Sequence, residues 1–169
     1  DIGAHLGIVD TDRAVRMSGS RFAYILGDAV RLQFALIQYA MNKLMDHAFV
    51  PVVVPVLARE DMMVDAGFFP TDRNQVYELE KDELFLVGTG EVGLAGLHRS
   101  ERLDADELPL RYVGYSSCFR REAGTYGKDT AGLFRLHQFD KVEMFIYSHP
   151  DRSWDELELL RSLEEEIFT

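Results

Sequence analysis

Apolar residues recur at helical spacing between positions 28 and 49, where Val30, Phe34, Ile37, Met41, Leu44 and Met45 fall near one face. The pattern predicts a core-packing helix of about five turns, with Asp28 as N-cap after Gly27. The next stretch, 50–57, is dense in valine but carries Pro51 and Pro55. Proline lacks a ladder donor, so this reads as an edge strand or one at an interface. A short helix over 59–66 closes at Gly67, and 68–75 is loop. Short strands follow at 76–80 and 83–87, then Gly88-Thr89-Gly90-Glu91 breaks the strand and opens a helix to about Leu103. Two longer strands are predicted at 111–122 and 133–147, joined through a glycine-rich connection at 123–132. Ser153 and Glu156 form a predicted capping box, ahead of a stripe of Leu157, Leu160, Leu163 and Ile167. Residues 1–20 show little periodicity and read as irregular.

The class is therefore α+β with an antiparallel sheet. At 169 residues and 47% hydrophobic, the chain is about one domain with a real core. Its 18 basic against 29 acidic residues leave a charge of −11, which argues against a nucleic-acid footprint carried by these residues alone. The lone Cys118 excludes an internal disulfide and a multi-cysteine metal site. Five dispersed histidines lack the close spacing of zinc ligands. No apolar run reaches the ~18 residues of a membrane span. Asp1 and the helical pattern running to Thr169 suggest a piece of something longer.

The long strands carry the candidate chemistry. On the second, Arg135, His137, Phe139, Lys141 and Glu143 alternate onto one face, while Val142, Met144 and Ile146 share the other. If the strands pair as a hairpin, one face gathers Arg120, Glu122, Arg135, Phe139 and Glu143. An exposed face of cross-strand ion pairs would look the same. The functional alternative is a ligand platform: guanidinium for phosphate, a ring for a base, a carboxylate for an ammonium group. Thr89 could simply cap the helix that Glu91 opens. Cys118 has no conventional base beside it in sequence and is not read as a nucleophile.

Phe119-Arg120-Arg121-Glu122-Ala123-Gly124, together with residues 132–143, resembles motif 2 of bacterial-type seryl-tRNA synthetases. Ser18-Gly19-Ser20-Arg21-Phe22 resembles the start of that family's catalytic domain, and 28–57 its motif 1; motif 2 spans about 111–147. Thr89-Gly90-Glu91 stands where the family carries a serine-binding Thr-Ala-Glu, and Leu108-Pro109-Leu110-Arg111-Tyr112 also matches. Gly90 and Gly88 replace the usual alanine and proline, which would loosen the turn.

The resemblance implies a class II synthetase sheet flanked by helices, in the cytoplasm, with ATP as cosubstrate and L-serine and tRNA(Ser) as partners. Arg120 would be catalytic, gripping the α-phosphate and the serine carboxylate. Arg121, Glu122, Arg135, Leu136 and Phe139 would join it in holding ATP, Glu122 reading the adenine amino group and Phe139 stacking on the ring. Thr89, Gly90, Glu91 and Glu143 would surround serine. Arg121 and Lys128 would lie near the tRNA acceptor end. Motif 1 would build a homodimer. The family's coiled-coil arm, its motif 3 and its Mg2+ ligands do not occur in these residues, so the fragment alone is expected to be weak or inactive. An amino acid:carrier-protein ligase and a non-catalytic nucleotide-binding or dimerising module remain the alternatives.

Overall fold

The computed structural model describes residues 2–124 and 133–169. Chain order is α1 (Ile2–His5), β1 (Val9–Asp10), α2 (Thr11–Ser18), β2 (Tyr24–Ile25), α3 (Asp28–Asp46) and β3 (Val50–Val53), then β4 (Leu57–Arg59) and α4 (Glu60–Asp65). The second half runs β5 (Tyr77–Leu79), β6 (Leu84–Leu86), α5 (Glu91–Gly96), β7 (Leu110–Phe119), β8 (Gln138–Tyr147) and α6 (Ser153–Phe168).

The main sheet has the order β3-β7-β8. β7 and β8 form an antiparallel ladder from Leu110↔Tyr147 to Phe119↔Gln138. β3 lies at its edge, as its prolines require, but it runs parallel to β7, with Val50 opposite Tyr112. A second sheet, β4-β6-β5, is antiparallel throughout. Each of these two sheets has its own core. Leu44, Phe49, Val113 and Leu163 bury one face of the β7–β8 ladder beneath α3 and α6, with Val142, Met144 and Ile146 packed against them. Met63, Phe69, Val76, Phe85, Val87 and Val92 form the other.

The opposite face of the ladder is lined on β7 by Gly114, Ser116 and Cys118, whose partners on β8 are Glu143, Lys141 and Phe139. Small residues there let α5 come close. A Cβ on Gly114 would sit 2.9 Å from Leu94 Cδ1, and one on Gly93 only 2.7 Å from Val54 Cβ.

Several sequence expectations are corrected. The supposedly irregular start holds α2, whose N-cap Asp10 accepts from the Arg13 amide at 2.8 Å. The α3 N-cap is Gly27, without a side-chain cap. Of the predicted core stripe on α3 only Leu44 is buried and Phe34 is about 60% exposed, as are Leu32 and Leu36 outside the stripe. The helix after Thr89 ends at Gly96, not near Leu103. The two long strands stop short of Arg120 and Arg135. Ser153 and Glu156 do not cap α6. Instead Ser153 Oγ donates to the Pro150 carbonyl, and Glu156 takes the Arg111 guanidinium on both oxygens at 2.9–3.0 Å. A true capping box joins Asp104 to Glu107. Leu163 is buried in the α6 stripe, but Leu157 is half exposed.

Candidate active site

The turn that follows β6 is pressed onto the ladder. Val56 and Phe119 bracket Val87, whose amide donates to one and whose carbonyl accepts from the other, each at 2.9 Å. This lays Gly88, Thr89 and Gly90 across β7 and β8. Thr89 is buried; its hydroxyl donates to Glu143 Oε2 at 2.8 Å and accepts from Lys141 Nζ at 2.9 Å and the Glu91 amide at 3.2 Å. Lys141 also forms an ion pair with the same Glu143 oxygen. The N-cap of α5 is Gly90, without a side-chain cap; Thr89, one position earlier, accepts from the first helical amide while it converges with the strand.

Gly90 has φ −64° and ψ −17°, an ordinary helical conformation, so its backbone does not demand glycine. What glycine spares is Ser116, whose Oγ would lie 3.2 Å from an added Cβ. At Gly88 an added Cβ would make only ordinary contacts, the nearest 3.5 Å from the Phe119 carbonyl oxygen.

Arg120 follows β7. Its backbone continues the ladder by donating to the His137 carbonyl, and its own carbonyl meets His137 Nδ1 at 2.8 Å. The side chain donates from Nε to the Gly88 carbonyl at 3.2 Å, with the guanidinium carbon 5.1 Å from the Phe139 ring centroid. The exposed guanidinium is thus aimed by two contacts that leave its terminal nitrogens available for a ligand. Beyond it Glu122 takes φ 53°, a left-handed conformation rare for a residue with a side chain. Two arginines hold it there. Arg135 donates to its carboxylate at 2.7 Å and Arg21 to its carbonyl at 3.4 Å. Gln75 fastens the same turn, its side chain exchanging hydrogen bonds with both backbone groups of Ala123.

A cleft of about 330 Å³ is lined by Gly88, Phe119, Arg120, Glu122 and Arg135, together with Phe68 and Val76. The structure therefore brings Arg120, Glu122 and Arg135 into one cavity, and Thr89, Gly90 and Glu143 into an adjoining cluster. Glu91 opens α5 and is exposed. Leu136 lies elsewhere, in a groove of about 560 Å³ beside Leu32 and Leu36 of α3, which Phe139 also reaches. Arg121 does not line the cleft. Its amide donates to the Gln75 carbonyl, and its charge acts on Tyr77, whose hydroxyl burial pushes upward in pKa and Arg121 draws partly back. Lys128 and most of the 123–132 connection lie outside the described residues.

Besides Arg21, three contributors were not given a role by sequence reasoning. Lys141 was legible, since it shares the alternating face with Glu143. His137 was on that face too, but the dispersed histidines pointed to no ligand role. Gln75 carries no sequence signal, because its partner lies 48 positions away. Cys118 is fully buried and burial pushes its thiol pKa up, which suits a packing group. Among the described residues no three His, Cys, Asp or Glu side chains cluster as metal ligands would.

Residues 75–169 match the tRNA synthetase class II core domain (G, H, P, S and T), over half of the chain. The chain belongs to this class II synthetase family. Its α+β fold with an antiparallel ladder is that of the family. Among curated class II relatives, the serine–tRNA ligase of Thermobifida fusca is 47% identical over 167 residues, covering 99% of this chain. Among solved class II structures, seryl-tRNA synthetase from Pyrococcus horikoshii complexed with ATP superimposes with a TM-score of 0.94 at 46% identity, over 99% of this chain and 38% of that one. The cytoplasmic serine–tRNA ligase from Naegleria fowleri in complex with AMP gives 0.93 at 33% identity, over 98% and 39%. The chain spans about 40% of the length of the curated relatives it matches. The motif-based resemblance to seryl-tRNA synthetases thus extends over the whole chain. No helix among the described residues is long and apolar enough to cross a membrane.

Proposed function

We propose that this chain carries the motif 1 (28–57) and motif 2 (111–147) portion of a serine–tRNA ligase catalytic domain, and that its two adjoining clusters are the ATP and serine halves of one site. The observation that carries the reading is the meeting of Thr89, Lys141 and Glu143 beside an arginine stacked on Phe139. A small polar cluster and an aromatic-backed cation suit an amino acid and a nucleotide brought together. The ATP and AMP complexes among similar structures support nucleotide as the second ligand.

In this reading Arg120 neutralises charge on the α-phosphate while the serine carboxylate attacks phosphorus. A carboxylate oxygen–phosphorus bond forms, and the bond to the departing pyrophosphate breaks. Arg120 supplies charge at the place where charge develops, with little reorganisation, because Gly88 and Phe139 already fix it. Phe139 also offers a face for adenine, Glu122 an acceptor for its amino group, and Arg135 a cation for the outer phosphates. Leu136, in the neighbouring groove that Phe139 also lines, would meet the nucleotide only through backbone, and Arg121, outside the cleft, only as a rim charge. Glu91 takes the serine ammonium, Glu143 and Thr89 its hydroxyl, and Gly90 keeps the turn against the strand. Magnesium accompanies ATP in such reactions, but the described residues offer it no ligand set and no step is assigned to it. tRNA(Ser) is the acceptor, in the cytoplasm.

The exposed Leu32, Phe34 and Leu36 of α3 and Val53 of β3 support a second copy as partner through motif 1. Sedimentation of the gene product tests this, and a monomer at micromolar concentration would sink it. The catalytic reading is tested by ATP–pyrophosphate exchange with serine, threonine and alanine, using the full-length gene product. Serine-dependent exchange, followed by loading of tRNA and not of a carrier protein, is the expected result. Exchange dependent on another amino acid overturns it.

A further inference from the structure

The charges around the Thr89 turn can be counted. Lys141 Nζ and the Thr89 hydroxyl both engage Glu143 Oε2, so a cation and a donor converge on one carboxylate oxygen. Glu143 Oε1 has no protein hydrogen-bond partner among the described residues, and neither does the Glu91 carboxylate. Glu143 is thereby neutralised by a fixed cation while keeping one oxygen able to accept a hydrogen bond. Glu91 remains an uncompensated anion on the same turn, where an added Gly90 Cβ would already be 3.6 Å from Glu143 Cβ. Together with Arg120, the cluster offers one cation for a carboxylate or phosphate, one free anion for one ammonium, and one neutralised acceptor.

We propose that Lys141 is a specificity-determining residue: by saturating the charge of Glu143, it makes the pocket accept an amino acid whose side chain is a neutral hydroxyl and reject one that brings a second ammonium group. This rests on the amino-acid-activating reading above. Without Lys141, Glu143 becomes a second uncompensated anion in a half-buried setting, where charge–charge interactions outweigh those in water. A β-ammonium then binds better than a hydroxyl of the same length. The selection is exerted by repulsion and prior neutralisation, and needs no contact between Lys141 and the ligand.

The test uses the full-length gene product and two substrates of equal length, serine and 2,3-diaminopropionate, in ATP–pyrophosphate exchange. Wild type is compared with Lys141→Met, Lys141→Gln and Lys141→Arg. Lys141 is one-third exposed, and thermal unfolding midpoints near the wild-type value are the check that folded variants are being compared. Lys141→Met and Lys141→Gln should each lower the serine-to-diaminopropionate ratio of kcat/KM by about tenfold or more. The change should come through KM for diaminopropionate, and Lys141→Arg should restore the ratio. An unchanged ratio in both neutral variants overturns the proposal. So does wild-type discrimination in Lys141→Gln with loss only in Lys141→Met, because that assigns the role to a donor and not to the charge. Wild-type enzyme that activates no hydroxy amino acid fails the underlying reading, and that is seen before any variant is compared.

Discussion

The two ends of the candidate site are built by opposite means. At the Thr89 end the side chains bond one another: hydroxyl, ammonium and carboxylate form a knot on a buried turn that leaves one Glu143 oxygen open, with α5 packed tightly behind it. At the Arg120 end most of the fastening is to backbone. Arg120 and Arg21 donate to carbonyls and His137 and Gln75 bond backbone groups, while Arg135 pairs with the Glu122 carboxylate and the guanidinium of Arg120 is exposed. A knot of this kind fixes a small volume and a charge count. Backbone-anchored arginines fix only a direction, and suit a larger polyanion whose charge builds up during reaction. One end should therefore govern which small ligand is taken, and the other how fast it reacts.

The largest effect that would test this division is on Arg120. Arg120→Ala should lower kcat for pyrophosphate exchange by roughly 10²–10³-fold, with much less change in the KM for serine. A large KM effect with kcat intact would reverse the assignment of the two ends. Thr89→Val should do the converse. It removes the donor to Glu143 and the acceptor for Lys141, and should weaken serine binding by about 1–3 kcal/mol, seen as a raised KM. An unchanged KM would mean that the knot is only structural.

Gly93→Ala attacks the knot from behind. Its Cβ would meet the branched Cβ of Val54, which cannot swing aside, so stability should fall by about 1–3 kcal/mol in urea unfolding. Full stability would show that α5 is free to shift away from β3. The smallest effect belongs to Gly90→Ala. The backbone there already suits alanine, and Ser116 need yield only slightly, so the unfolding free energy should move by less than about 1 kcal/mol. A larger loss would mark Ser116 as immovable.

Much of this arrangement was legible in the chain itself. Alternation on β8 placed Phe139, Lys141 and Glu143 on one face and Val142 and Met144 on the other, because a strand buried on one side writes its two-residue period into the sequence. The prolines correctly marked β3 as an edge. Periodicity failed where it met an uncovered surface: α3 has the apolar stripe of a core helix, yet Phe34 and Met45 of that stripe are exposed. A stripe records that something covers it, not what. Ser153 and Glu156 failed for a different reason, since the local capping spacing was outcompeted by a long-range partner, Arg111. The strand ends were overrun because the left-handed turn at Glu122 depends on Gln75 and Arg21, distant in sequence.

The parallel edge has a consequence for the order of folding. β7 can find β8 as a hairpin, but the pairing of Val50 with Tyr112 joins segments some sixty positions apart, through a span that contains the whole second sheet. Closing so long a loop is entropically slow. During refolding the amides bonded between β3 and β7 should gain exchange protection later than those between β7 and β8. In a chain growing from its N-terminus, α3 and β3 emerge before their strand partner exists, leaving a valine-rich segment that must wait for the rest of its sheet.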